Sequence, residues 1–149
     1  MSEENIHLTD VRVEEEHPEA IKEIILKGLR EYNYAFLGYY EPKRFAIYIK
    51  NNAADIIAGV YGFSVAFHKV LRMEFVWVHT DYRKQGLGTT LLHHIDNYAR
   101  SKGCSIIQVT TLEFQAKEFY KKNGYQEVGS IPQWFYGTTE IFLQKKLAS

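Results

Sequence analysis

The stretch VWVHTDYRKQGLGTTLL, residues 76–92, changes its periodicity halfway along, and that change decides the fold. Val76 and Val78 close an apolar run that alternates like a strand. Leu87, Leu91, Leu92, Ile95, Tyr98 and Ala99 then recur at helical spacing, up to Gly103. Gly86 and Gly88 stand at the junction, where the first backbone N–H groups of a helix have no intrahelical partner. Glycine lets a ligand approach the backbone closely and permits positive φ. Arg83 and Lys84 bring positive charge, Thr89 and Thr90 bring hydroxyls, and the first helical turn holds no Asp or Glu. A strand handed over to a helix in this way suits an anion. Neither familiar nucleotide loop fits it. No lysine follows Gly88 as a P-loop requires, and Leu91 stands where a dinucleotide turn has its third glycine. On these residues alone, two glycines shaping a tight turn is the other reading.

Outward from this junction the elements alternate. A short strand is predicted over Ile6–Val13, then a helix in which Ala20, Ile21, Ile24, Ile25 and Leu29 recur and Pro18 occupies the first turn. YNYAFLGYYEP, residues 32–42, has no clear period and is too apolar for an ordinary surface loop. Strands follow over Phe45–Lys50, Ile56–Phe67 and Val70–Val78, turned by NNAAD and HK. Beyond the central helix come the buried strand SIIQVTT, a short helix in FQAKEFYKKNGY, and strands around Tyr125–Ser130 and Thr138–Lys145. The order β-α-β-β-β-α-β-α-β-β belongs to the α+β class. It implies a mixed, mostly antiparallel sheet of about six to seven strands with helices on both faces. Val70–Thr111 is the parallel, right-handed crossover within it.

Composition narrows the function. A chain of 149 residues, 46% apolar and 15% aromatic, suits one globular domain over residues 1–149. Its 18 basic and 18 acidic residues cancel, so no global field favours nucleic acid or an anionic membrane. The single cysteine, Cys104, excludes an internal disulfide and fits a reducing, cytoplasmic setting, and no apolar stretch reaches transmembrane length. No His, Cys or Asp spacing suits a metal.

Two separated motifs together resemble the GNAT family of N-acetyltransferases. Arg83, Gly86 and Gly88 match that family's Arg/Gln-x-x-Gly-x-Gly/Ala turn. Ala116, Phe119, Tyr120, Lys122, Gly124 and Tyr125 match its downstream Ala-x-x-Phe/Leu-Tyr-x-Lys-x-Gly-Phe/Tyr helix, so the resemblance covers residues 70–130. It implies the GNAT fold and acetyl-CoA as cofactor, with no metal. The acetyl group would pass directly to a primary amine on a small molecule or peptide, in a ternary complex. Backbone amides of Arg83, Lys84, Gln85, Gly86, Leu87 and Gly88, with Thr89, would hold the coenzyme A pyrophosphate. Val76 and Val78 would pair with the pantetheine amides, and an N–H near Val78 would polarise the acetyl carbonyl. Glu113 stands where many members have an asparagine that contacts the cofactor, with Gln115 as the nearby substitute.

The resemblance makes Tyr120 the general acid for the departing sulfur; on its own it also reads as a core aromatic. Glu74 is the candidate base. Alternation puts it on the face of Val76 and Val78 until a bulge intervenes, and a solvent-facing position or a pair with Arg72 are the other readings. His68 and His79 are weaker candidates for relaying a proton. The acceptor would meet Tyr32, Tyr34, Phe36, Tyr39, Tyr40, Trp134, Phe135 and Tyr136, by cation–π attraction if they line a cleft. A second apolar cluster or a homodimer contact is the alternative for these aromatics. Glu31, Glu41 and Glu140 add negative charge nearby. A protein that binds acetyl-CoA as a sensor, with little transfer, is the competing function.

Overall fold

The computed structural model describes residues 10–148. The chain divides into two compact units, Met1–Tyr39 and Tyr40–Ser149. The smaller one holds helix α1, Pro18–Leu37. Pro18 sits at its first positions, where a missing N–H costs nothing, and Gly38 ends it at φ 76°, donating to the Tyr34 carbonyl at 3.1 Å. Residues 32–37, read from sequence as aperiodic, are therefore helical. Tyr32 and Phe36 lie one turn apart with ring centroids 5.2 Å from each other, and extending a helix is far cheaper than starting one. The strand expected over Ile6–Val13 falls mostly outside the described residues, and residues 10–13 are not in a strand.

The larger unit contains β1 (Lys43–Lys50), β2 (Ile56–Val65), β3 (Val70–Val78), α2 (Leu87–Ser101), β4 (Ile106–Leu112), α3 (Lys117–Lys122), β5 (Gln126–Ile131) and β6 (Glu140–Lys146). Strand β2 stops at Val65, short of the expected Phe67, because Ala66–His68 turn as a 3-10 helix. The sheet order is β1-β2-β3-β4-β6-β5, and only β3 and β4 run parallel. This is the α+β architecture that the sequence implies. Ala58, Val60, Leu71, Met73, Ile107, Val109, Ile141 and Leu143 alternate onto one face of the sheet, where Leu91, Leu92, Ile95 and Ala99 of α2 meet them. Each fully buried leucine or isoleucine in that layer contributes about 1.5–3 kcal/mol. Among the described residues no helix is long and apolar enough to cross a membrane.

Two features of β3 open the sheet. Its ladder to β4 covers only Val70↔Ile106 through Met73↔Val109, although both strands continue. Its register with β2 slips between Tyr61↔Phe75 and Gly62↔Met73, leaving Glu74 as the extra residue of a bulge. The sheet therefore parts into two leaves, β1-β2-β3 and β4-β6-β5, joined at that short ladder. Gly62 permits the bulge, since any side chain there would run into the Arg72 carbonyl. Gly62→Ala is expected to cost about 1–3 kcal/mol, the usual range for forcing atoms into filled space. A denaturation midpoint equal to wild type would show that the bulge tolerates a side chain.

Candidate functional site

The gap between the leaves carries unpaired backbone. The His79 N–H donates to the Ile57 carbonyl at 2.8 Å. Backbone direction alternates along an antiparallel pair, so Trp77 and Phe75 also face β2. Val76 and Val78 consequently turn their N–H and C=O groups away from β2, towards β4, where the ladder has ended. The Val78 carbonyl accepts from Nε of Arg83 at 3.1 Å, and its N–H points the same way. Sequence reasoning missed that tether. It uses only Nε of Arg83 and ties that side chain to the end of the strand.

The turn itself is built from short local bonds. Thr80–Tyr82 form a 3-10 turn in which His79 Nδ1 accepts from the Asp81 N–H at 3.1 Å, and the Arg83 N–H donates to the Thr80 carbonyl at 3.3 Å. Tyr82 accepts from Asn51 Nδ2 at 3.2 Å, which anchors the turn to the β1–β2 connection. Lys84 and Gly86 have φ of 62° and 79°. Left-handed residues in such a sequence gather successive N–H groups into a concave row that suits an anion. Among the described residues, the N–H groups of Lys84, Gln85, Gly86, Leu87, Gly88 and Thr89 make no hydrogen bond of good geometry. The first intrahelical donor is Thr90, whose N–H and hydroxyl reach the Gly86 carbonyl at 3.0 and 3.1 Å. Arg83 thus leaves the expected set of free amides, and the other six keep theirs.

The two glycines do different work. A side chain at Gly86 would meet nothing within 4 Å, so that position needs glycine for its φ and faces open space. At Gly88 a Cβ would lie 2.8 Å from Cζ of Phe119, so this glycine lets α2 approach α3. Gly88→Ala is expected to cost about 1–3 kcal/mol through overpacking, a loss that Phe119→Leu relieves. Additive losses in that double-mutant cycle would refute the contact as the cause.

Through Phe119 the first turn of α2 abuts α3, which carries Tyr120. The Tyr120 ring is 4% exposed and packs edge-on to Phe119 and Tyr125. Its hydroxyl bonds to no described side chain, yet it is not among the sealed polar atoms that lack a partner. Burial pushes its pKa up to about 12, which keeps the phenol protonated at neutral pH. Tyr125 is raised further, by burial first and by Asp96 next. Asp96 is itself paired with Lys145 at 2.6 Å. Burial also raises the Cys104 thiol, which suits packing rather than nucleophilic chemistry. The Gln115 carboxamide oxygen is already used, accepting from the Leu112 N–H at 2.7 Å and the Thr111 hydroxyl at 3.0 Å. Glu113 is exposed.

Glu74 lies elsewhere than alternation suggested. Because it is the bulged residue, it joins Arg44, Tyr61, Phe63 and Phe75 on the sheet face away from α2, whereas Val76 and Val78 pack towards the core. Its partner is Arg44, at 3.3 Å, and not Arg72. On the same face Arg72, Gln108, Thr110, Val128 and Phe142 help line a depression of ≈ 180 Å³, beside the point where the leaves part. His79 flanks the turn between the rings of Trp77 and Tyr82. His68 sits at the far end of β3, against Tyr40 and Phe67, with Nε2 buried and unbonded. Of the expected acceptor aromatics, Tyr34 and Tyr39 pack together in the smaller unit, as do Tyr32 and Phe36. Trp134 and Tyr136 stand exposed in the β5–β6 connection of the larger one.

Comparison with known proteins places this geometry. Residues 5–125 match the family model described as the acetyltransferase (GNAT) family. An acetyltransferase of Agrobacterium fabrum is 25% identical over 142 residues, 95% of this chain and 98% of that protein. The blasticidin-S acetyltransferase of Streptomyces morookaense is 38% identical over 78 residues, 52% of this chain. That match spans 57% of the Streptomyces enzyme, little more than half its length. The crystal structure of an acetyltransferase from Bacillus cereus superposes with a TM-score of 0.80 at 32% identity, covering 91% of this chain and 98% of that one.

Proposed function

The chain belongs to the acetyltransferase (GNAT) family, and from that premise we propose that it moves an acetyl group from acetyl-CoA directly to a primary amine, with both bound together. The observation that carries this reading is the parted β3–β4 pair, flanked by a row of free N–H groups and by Tyr120. The residues fit the cofactor. Gly86 faces open space, the N–H row from Lys84 to Thr89 suits a pyrophosphate, and the backbones of Val76 and Val78 suit an added extended strand of amides. Bound acetyl-CoA supplies an activated thioester acyl group.

The chain's own groups divide the remaining work. The Val78 N–H, which faces the gap on the same side as the carbonyl that Arg83 tethers, would donate to the acyl oxygen of a bound thioester. Tyr120 holds a proton for the departing sulfur. Glu74, on the opposite face of the sheet, takes the proton from an amine that arrives on that side. An acceptor arriving on that face leaves the N–H row of the turn to the cofactor, so both can be bound together as direct transfer requires.

The test is a panel of amines incubated with acetyl-CoA, read as release of free thiol. Amine-dependent release is expected. Tight acetyl-CoA binding without it would instead support a sensor that uses the same cradle. Glu74→Gln should lower kcat/KM by about 10²-fold near neutral pH. That loss should shrink as alkaline pH neutralises the amine without help. A loss that stays constant with pH would remove Glu74 as the base.

A further inference from the structure

Arg44 occupies a place built for a cation. Its Nη1 lies 3.3 Å from Oε1 of Glu74, and its guanidinium carbon lies 6.0 Å from the Tyr61 ring centroid and 5.7 Å from that of Phe63. Tyr61 is backed in turn by Phe75, with ring centroids 6.0 Å apart and planes at 22°. One carboxylate and two aromatic rings therefore converge on a single positive charge. These residues come from three strands, and the β3 bulge is what brings Glu74 round to them.

The guanidinium also hydrogen-bonds the Tyr61 hydroxyl, yet the whole group stays open to water. The Arg44 side chain is 59% exposed and the Glu74 side chain 27%. An exposed ion pair contributes about 0–1 kcal/mol and an exposed cation–π contact about 0.5–1 kcal/mol, so another cation competes with it at about tens of millimolar and above. Arg44 Nη1 sits on Glu74 Oε1, so an incoming ammonium reaches that oxygen only by displacing it.

We propose that Arg44 stands in for the acceptor's ammonium group: Glu74, Tyr61 and Phe63 form a subsite for a primary alkylammonium ion, which displaces Arg44 on binding. This rests on the acetyl-transfer reading only in giving that ion the role of acceptor. It sets specificity by charge. An alkylammonium gains both the carboxylate and the rings, whereas a neutral amine or alcohol of the same shape gains neither in full. Arg44 acts as a resident competitor that raises the KM for the amine.

The test needs no acetyl-CoA. The full chain, labelled with 15N, is titrated with n-butylammonium chloride and, in parallel, with n-butanol at matched ionic strength. In Arg44→Ala the amides of Phe63, Glu74 and Phe75 should shift with n-butylammonium at about three- to tenfold lower concentration than in wild type, the size expected for losing one exposed competitor. Arg44→Lys should behave like wild type, because it restores a cation. Arg44→Gln serves if the alanine variant fails to fold. Equal affinity for n-butylammonium in wild type and the uncharged variants would overturn the subsite, as would equal shifts with n-butanol. Amine-dependent thiol release alongside such a failure would leave acetyl transfer standing. Tight n-butylammonium binding without any thiol release would leave the subsite standing and remove the transferase reading.

Discussion

Gly86→Glu is expected to fold and to lose acetyl-CoA affinity by at least about a hundredfold, since one added like charge near the ligand costs on the order of 4 kcal/mol at 4 Å and an effective dielectric of 20. The new carboxylate would stand in the middle of the N–H row from Lys84 to Thr89, where it would satisfy those donors itself and repel a pyrophosphate. Folding should survive because a Cβ at this position meets nothing within 4 Å. The cost to stability is backbone strain alone: φ is 79°, and holding an L-residue there takes about 1–2 kcal/mol. Gly86→Ala pays the same strain without the charge, so it separates the two effects. Calorimetric titration should show the alanine variant binding within about tenfold of wild type, a margin set by that strain. Equal acetyl-CoA affinity in folded Gly86→Glu and wild type would move the pyrophosphate away from this turn.

What was legible in the sequence was local. The switch of period at Gly86 marks the end of β3 and the start of α2 because side chains alternate in one and recur every three to four residues in the other. The same signal recovers β1 to β6 and α3 almost in full. It fails where a neighbour one turn away decides the outcome, as with Tyr32 and Phe36 extending α1. It fails again at Glu74, since a bulge moves a residue to the other face and leaves no trace in the pattern of β3 itself. Arg72, two residues from Glu74, was the partner that alternation offered. The actual partner is Arg44, thirty residues away on β1, and only strand register brings it there. The Arg83 tether to Val78 and the contact of Gly88 with Phe119 are of the same kind. Motif positions were readable, but what their side chains hold was not.

Tyr120→Phe should lower turnover by about 10²- to 10⁴-fold, the range for removing a positioned general acid, while acetyl-CoA affinity changes little. The variant keeps the buried ring and its contacts with Phe119 and Tyr125, so its melting temperature should stay near that of wild type. The pH profile separates acid catalysis from packing. Burial raises the phenol pKa to about 12, so the proton to be donated is present throughout the neutral range and is lost only as pH rises through that value. The deficit of Tyr120→Phe should therefore be flat from about pH 6 to 10, the model tyrosine value marking where exposed phenols begin to ionise. The same shift acts on stability. A folded-state pKa above the unfolded one means that the contribution of Tyr120 is complete below about pH 10, the unfolded value, and falls as pH climbs towards about 12. Tyr120→Phe should thus resist alkaline unfolding better than wild type while remaining catalytically poor. The alkaline resistance follows from burial alone, so it is the loss of turnover at an unchanged melting temperature that marks Tyr120 as the acid. Wild-type turnover in the phenylalanine variant at every pH would remove Tyr120 as the acid and leave solvent to protonate the sulfur.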